Sequence, residues 1–322
     1  MEKITVSTAS KKAPLQILDK LQILAASAKY DVACTSSGVE RQGAPGSIGN
    51  TVAGGICHSF GADGRCISLL KVLYTNECVY DCKYCVNRCS NDIPRTSFTP
   101  SELAELTISF YRRNYIEGLF LSSGVNRNPN HTMEEIYQAI HLLRHHYSFN
   151  GYIHVKAIPG TDPVLIEKIG WLADRMSTNL ELPTADGLRL LAPQKSRKKI
   201  LTPIRQIQLG RKKNMDFLGI PENERMLAPI MEPREAKPSL EVSGKQSLSA
   251  FHSPSERFVP AGQSTQMIVG ATSETDYEIV HVAEALYQNF DMKRVFYSAF
   301  INTTDDPLLP STENGPNLLR EH

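Results

Sequence analysis

From Cys66 onward the chain repeats one unit, a short run of β-branched and apolar residues followed by a chemically explicit helix start. Six runs read as strands: 66–76, 117–124, 151–160, 174–183, 265–271 and 293–300. Between them, Thr99-Pro100-Ser101-Glu102 offers a capping oxygen, a proline at the first helical position and a glutamate at the third, which is a capping box. Thr132 to Glu135 and Thr275 to Glu278 read as the same device, and Asp162-Pro163 as a cap followed by proline. Short strands alternating with capped helices build a parallel sheet covered by helices. Six such units predict an α/β fold in the form of a partial TIM-type (β/α)6 barrel, whose ligands meet the C-terminal ends of the strands.

Ahead of this pattern Leu15, Leu18, Leu21 and Leu24 stand at three-residue steps with Ile17 and Ile23 beside them, one apolar helical face. Thr35 to Gly55 is rich in Gly and Ser, lacks periodicity and reads as loop. Residues 1–64 are therefore expected to be a helical and loop extension, 65–305 the core, and 306–322 a polar, Pro-broken tail. Roughly eighty residues separate the fourth and fifth runs, and 193–262 reads as an insertion there. Its basic stretch, 194–213, holds eight Lys/Arg and no acid, and Ile200, Leu201, Ile204 and Ile207 mark an amphipathic face within it.

The chain as a whole is nearly neutral, with 35 Lys+Arg against 34 Asp+Glu and a formal charge of +1. That excludes a surface made cationic all round for nucleic acid, and equally an acidic tail protein. Apolar residues at 41% and charged ones at 21% suit a chain that buries a core. No run approaches the ~18 consecutive apolar residues of a membrane span. MEKITVSTASKK lacks the apolar stretch of a secretory signal, and Glu2 with the scarcity of arginine speaks against a transit peptide. A cytoplasmic protein is expected.

Seven cysteines are present, and four of them crowd between Cys78 and Cys89. A disulfide framework spreads an even set along a short secreted chain, so this pattern points to a reducing compartment and metal chemistry. Cys78, Cys82 and Cys85 form C-x3-C-x2-C in a loop just after the first run, where three thiolates can turn onto one soft centre. Zinc and an iron–sulfur cluster both take such ligands. Structural zinc closes a tetrahedron with a fourth ligand, commonly from a second pair, and no second C-x2-C exists here. A [4Fe–4S] cluster on three cysteines instead keeps one iron open for a ligand, and that is the expectation, with zinc the alternative.

With Tyr84 before its last cysteine, this motif resembles the signature of the radical S-adenosylmethionine (radical SAM) superfamily, and the barrel is then of the radical SAM type. The resemblance implies that Cys78, Cys82 and Cys85 bind a [4Fe–4S] cluster. It also implies that S-adenosyl-L-methionine on the open iron is cleaved reductively to a 5′-deoxyadenosyl radical, with an electron donor such as flavodoxin or ferredoxin. Tyr84 takes the position near adenine, and Ser122-Ser123-Gly124 is similar to the small-residue turn that holds the methionine amino group. Glu181, at the end of the fourth run, resembles a ribose or methionine contact, and Val269-Gly270 a motif packed on adenine. Catalytic side chains beyond these are not identified.

Longer stretches, among them CISLLKVLYTNECVYDCKYCVNR, SNDIPRTSFTP, GYIHVKAIPG and AGQSTQMIVGA, resemble radical SAM proteins of DNA repair or modification, along most of the chain. Those proteins continue past the LLREH at which this chain stops, into a helix-hairpin-helix DNA-binding region, and this sequence departs from them there. The resemblance implies a nucleic-acid partner, DNA. Radical chemistry on RNA, a peptide or a small molecule is the alternative, and a non-catalytic metal-binding module is an alternative of another class. Cys89 reads as a free thiol, because a fourth ligand would close the open iron. Cys57 and Cys66 read as ordinary thiols, and Cys34 lies in an unpatterned segment that assigns it no role. Lys156, at the end of the third run, could face a ligand carboxylate or phosphate if it points inward.

Overall fold

The computed structural model describes residues 15–28, 56–60, 66–220, 257–302 and 306–311. Six strands, β2 (Cys66–Leu73), β3 (Gly118–Ser122), β4 (Tyr152–Lys156), β5 (Arg175–Ser177), β6 (Gln263–Val269) and β7 (Met292–Ala299), lie parallel in chain order. Neighbours consecutive in the chain and parallel require a crossover between each pair, and helices supply it. The sheet does not close: β7 is one edge, and β1 (Ile56–Phe60) covers β2 at the other, pairing antiparallel with it. The result is the expected partial (β/α)6 barrel. β1 itself was not expected, since ICHSF is short and follows a Gly-rich stretch, so nothing local marks it as a strand.

The helices are α1 (Ile17–Ala28), α2 (Pro100–Arg112), α3 (Pro129–His141), α4 (Pro163–Gly170), α5 (Ala185–Leu191), α6 (Arg197–Phe217) and α7 (Asp276–Phe290), with a π turn over 142–146. Both capping boxes at Thr99 and Thr275 form, and Asp162 accepts from Val164 N–H at 2.8 Å. Thr132 is not a cap. The helix starts earlier, at Pro129, because Asn128-Pro129 combines a capping side chain with a preset φ. Thr132 lies inside α3 and donates to Asn126 O at 3.0 Å.

The outward face of the sheet makes the core. Leu70, Val72, Leu119, Leu121, Ile153 and Val155 are fully buried against Leu103 of α2, Ile136 and Ile140 of α3 and Ile166 of α4. Each such side chain contributes roughly 1.5–3 kcal/mol of burial. A second cluster joins Met267 and Val269 of β6 to Leu188 of α5, Ile200 and Ile204 of α6, and Ile279 of α7. Ile200, Ile204 and Ile207 are thus the buried face of the basic stretch. Where the sequence reading has an insertion, α6 belongs to the helical layer, packed on α4 and β6. Residues 221–256, with the Pro- and Ser-rich readings made on them, lie outside the described residues, as does the tail beyond 311. Among the described residues no helix is long and apolar enough to cross a membrane.

Candidate active site

Beyond β2 the chain leaves the sheet in a loop that crosses the strand C-terminal ends. A cavity of about 470 Å³ opens there, lined by Cys78, Cys82, Tyr84 and Cys85 from the loop and by residues of the strand ends. Cys82 is buried, and Cys78 and Cys85 are partly exposed. The Cys78 sulfur accepts two backbone N–H groups, from Tyr80 and Val125, each at 3.4 Å. Burial pushes the Cys85 thiol up to about 12, with Cys82 adding to it, and burial likewise raises Cys82. Both shifts favour the thiol, so a cationic metal centre is what would turn these sulfurs into thiolate ligands.

Arg95 holds the loop. Its guanidinium donates to four backbone carbonyls, Asn76 at 2.7 Å, Asn87 at 3.1 Å, Arg88 at 2.6 Å and Asn91 at 2.9 Å. A planar five-donor fork is suited to gathering carbonyls that an irregular loop leaves unpaired. Arg88 in turn pairs with Asp306 at 2.7 Å. Nothing in the sequence marks Arg95, because its partners lie up to nineteen residues away. Cys89 is exposed and does not line the cavity; its sulfur lies 3.8 Å from an Asp81 oxygen.

At the end of β3, Ser122, Ser123 and Gly124 all line the cavity. Gly124 N–H donates to Thr75 O at 2.7 Å, and a Cβ there would stand 2.6 Å from Glu77 O. Only glycine lets these two segments approach so closely. The hydroxyls of Ser122, Ser123 and Tyr84 and the side-chain oxygens of Asn87 and Asn179 are buried without a partner, and all five residues line the cavity. A cluster of unpartnered polar atoms around one void is what a polar ligand's binding site looks like without its ligand.

Glu181 lines the cavity but does not end a strand. β5 stops at Ser177, and Glu181 sits four residues on in an isolated bridge to Met267, with φ of 70°. Its carboxylate receives Lys195 Nζ at 2.7 Å, and the ammonium stands 6.0 Å from the Tyr84 ring centroid. Burial alone would lower Lys195, but the Glu181 carboxylate, with Tyr84 and Cys82, carries it well above its ordinary value. Lys195 was hidden in the basic stretch, where it looked like one more surface cation.

Val269 and Gly270 are not brought into the lining. Val269 points outward into the core beside Leu188 and Ile279, and Gly270 turns the chain with φ of 86°, its N–H donating to Glu274 at 2.6 Å. Strand alternation explains the difference: on β6 the cavity receives Gln266 and Ile268, one residue out of phase with Val269. Lys156 does point inward and lines the cavity. The side chains of Cys57 and Cys66, and all of Cys34, lie outside the described residues.

The donor set fits a cluster. Among the described residues no three His, Cys, Asp or Glu side chains are grouped to hold a metal ion. Cys78, Cys82 and Cys85 all line one void, and a polynuclear cluster takes each thiolate on a different iron.

The 4Fe-4S single cluster domain family matches residues 61–168, the segment that contains these three cysteines. No curated protein matches the chain. Among solved structures, a HydG maturase of [FeFe]-hydrogenase is similar over 75% of this chain and 46% of its own, at 15% identity and a TM-score of 0.46. Methylornithine synthase (PylB) is similar over 73% of this chain and 54% of its own, at 13% identity and a TM-score of 0.48. HydG from Carboxydothermus hydrogenoformans is similar over 73% and 45%, at 12% identity and a TM-score of 0.47. The chain spans about half the length of these structures.

Proposed function

We propose that this chain is a radical SAM enzyme, and that its substrate is nucleic acid, DNA in repair or modification. The observation that carries the chemistry is the cavity at the strand ends, where three thiols meet a set of buried, unpartnered polar atoms. In this reading Cys78, Cys82 and Cys85 hold the [4Fe–4S] cluster, while Tyr84, Ser122, Ser123, Gly124 and Glu181 face S-adenosylmethionine. When bound, the cluster and S-adenosylmethionine supply reductive S–C bond cleavage and a hydrogen-abstracting radical.

The chain's own residues bind, orient and exclude water. Arg95 fixes the loop that presents the thiols. Gly124 lets the backbone of the β3 turn close on its neighbour, which leaves Ser122 and Ser123 at the cavity wall. Lys195 keeps Glu181 in one position, and Ile268 contributes apolar wall. A DNA substrate is supported by the resemblance of the longer motifs and by α6. Lys198, Arg205 and Lys212 recur there at two-turn spacing and are exposed, with Lys199 and Lys213 beside them. A helical stripe of this kind can follow a phosphate backbone, and it starts close to the cavity that Lys195 lines.

The test is anaerobic. Protein reconstituted with iron and sulfide, then reduced with dithionite or flavodoxin, is given S-adenosylmethionine, and 5′-deoxyadenosine is measured with and without DNA. Product is expected from the wild type, absent from Cys82→Ala and increased by DNA. A zinc-bound or metal-free wild type with no product would overturn the enzyme reading. Product indifferent to every DNA offered would overturn the substrate.

A further inference from the structure

In a closed barrel the backbone ladder runs all the way round, so every strand-end loop is fixed against both of its neighbours. Here the ladder stops at β7, and the other edge of the parallel set, β2, is paired with β1 instead. The thiol-bearing loop follows β2, so among the described residues no ladder sets its distance from the chain that follows β7. Both nevertheless wall the same cavity, the loop with Cys78, Cys82 and Cys85 and the far side with Phe300 and Ile301.

Four charged side chains span this gap. Within the loop, Asp81 pairs with Lys83 at 2.9 Å and lies 3.6 Å from Arg88. From beyond β7, Asp306 pairs with Arg88 at 2.7 Å and lies 3.6 Å from Lys83. Each carboxylate thus meets both cations, and the four close a ring. Asp81, Lys83 and Arg88 are the charged residues between Cys78 and Cys89, two cations against one carboxylate, and Asp306 brings that set to neutrality. It does so from 218 residues beyond Arg88. The Asp306 side chain is 7% exposed and that of Arg88 13%, which separates this pair from surface ion pairs of little effect. The segment around Asp306 is anchored as well. Leu308 N–H donates to the Asp306 carboxylate at 3.1 Å, and the Asn302 amide donates to Pro310 O at 2.9 Å. Leu309 is buried in the apolar cluster that includes Cys82. On the loop side Lys83 adjoins Cys82, and Arg88 N–H donates to Cys85 O at 3.1 Å. A shift of Asp306 therefore acts on the backbone that carries two of the three thiols.

We propose that Asp306 is a positioning residue: it closes, at the ligand end, the side of the barrel that the sheet leaves open, and so fixes the thiol loop against the far cavity wall. Arg95 gathers the loop onto itself, whereas Asp306 places it relative to β7. This role rests on the function proposed above for what the thiols hold, and adds to it a residue far outside the cysteine motif on which metal retention depends.

The whole chain, reconstituted anaerobically with iron and sulfide, is challenged with a chelator, and metal release is timed for wild type, Asp306→Asn, Asp306→Glu and Arg88→Gln. Asp306→Asn is expected to lose metal about 10-fold faster, the lower end of the effect of groups that orient metal ligands from outside. Asp306→Glu keeps the charge and should restore most of that difference. The reduced cluster of Asp306→Asn should also give an altered electron paramagnetic resonance spectrum, while its denaturant midpoint stays near that of the wild type. A loss of stability with an unaltered spectrum would leave Asp306 a merely structural residue and overturn the proposal. In the double variant of Asp306→Asn and Arg88→Gln, release should fall well short of the product of the two single effects; effects that multiply in full would contradict action through one pair. The metal held by the wild type is identified in the same samples. Zinc instead of an iron–sulfur cluster, released faster from Asp306→Asn, would sink the radical reading alone. An iron–sulfur cluster held equally well by wild type and Asp306→Asn would sink the positioning role alone.

Discussion

On their outward face β2 to β5 present Leu70, Val72, Leu119, Leu121, Ile153, Val155 and Met176, all fully buried against helices or neighbouring strands. One residue out of phase, the same strands present Lys71, Phe120, Ser122, His154, Lys156 and Arg175 to the barrel interior. Backbone, register and local propensity are shared, so the two faces differ only in what their side chains meet. The outward face meets apolar helix surface and supplies stability. The inward face keeps polar and charged groups where a closed barrel would be packed, and its hydroxyls at Ser122 and Ser264 lack partners. A protein carries such groups inside where a ligand uses them.

The contrast can be broken by exchanging the properties of the two faces. Leu121→Ala on the outward side should cost about 2–5 kcal/mol, read from the denaturant midpoint, with S-adenosylmethionine affinity little changed in the folded fraction. A cost below 1 kcal/mol would mean that this face is not the core.

His154, inward, is held neutral by burial and by Arg175 and Lys156. As pH falls below its ordinary 6.5 the unfolded chain takes up a proton that the folded chain refuses. Stability therefore drops on the acid side, by up to about 1.4 kcal/mol per pH unit. His154→Gln should flatten that part of the acid limb and leave stability above pH 7 nearly unchanged. An identical slope in the two proteins would contradict the assignment.

The smallest effect sharpens the comparison. Ser264→Ala removes a buried hydroxyl without a partner and should raise stability by about 1 kcal/mol, where a truncation on the outward face only lowers it. Loss of stability at Ser264 would show that its hydroxyl is bonded within the folded chain.

Much of this architecture was legible because it is encoded over three or four residues. The boxes at Thr99 and Thr275 are complete within a single turn, and each strand run overlaps one of β2 to β7. The three thiols sit eight residues end to end in one loop, so their chemistry could be read from spacing alone. Thr132 misled because Asn128-Pro129, four residues earlier, is the stronger start. Glu181 was placed on a strand because DRMSTNLELP looks extended throughout, whereas ladder pairing ends at Ser177. Arg95 and Lys195 could not be found, since each acts on groups that are distant in sequence and look like ordinary surface residues until the chain folds.

Composition, periodicity and cysteine spacing by themselves determined an alternating α/β sheet with a three-thiol loop at its ligand-binding end. Those are local properties, decided by capping groups, strand propensity and the reach of a few residues. Only the tertiary structure decided which face of each strand looks into the barrel, and so put Ile268 rather than Val269 on the cavity wall. It alone joined Lys195 to Glu181 and gathered Lys71, His154 and Lys156 around Phe120. The physical reason is that strand register and sheet curvature are set by long-range packing, and a shift of one residue exchanges the two faces.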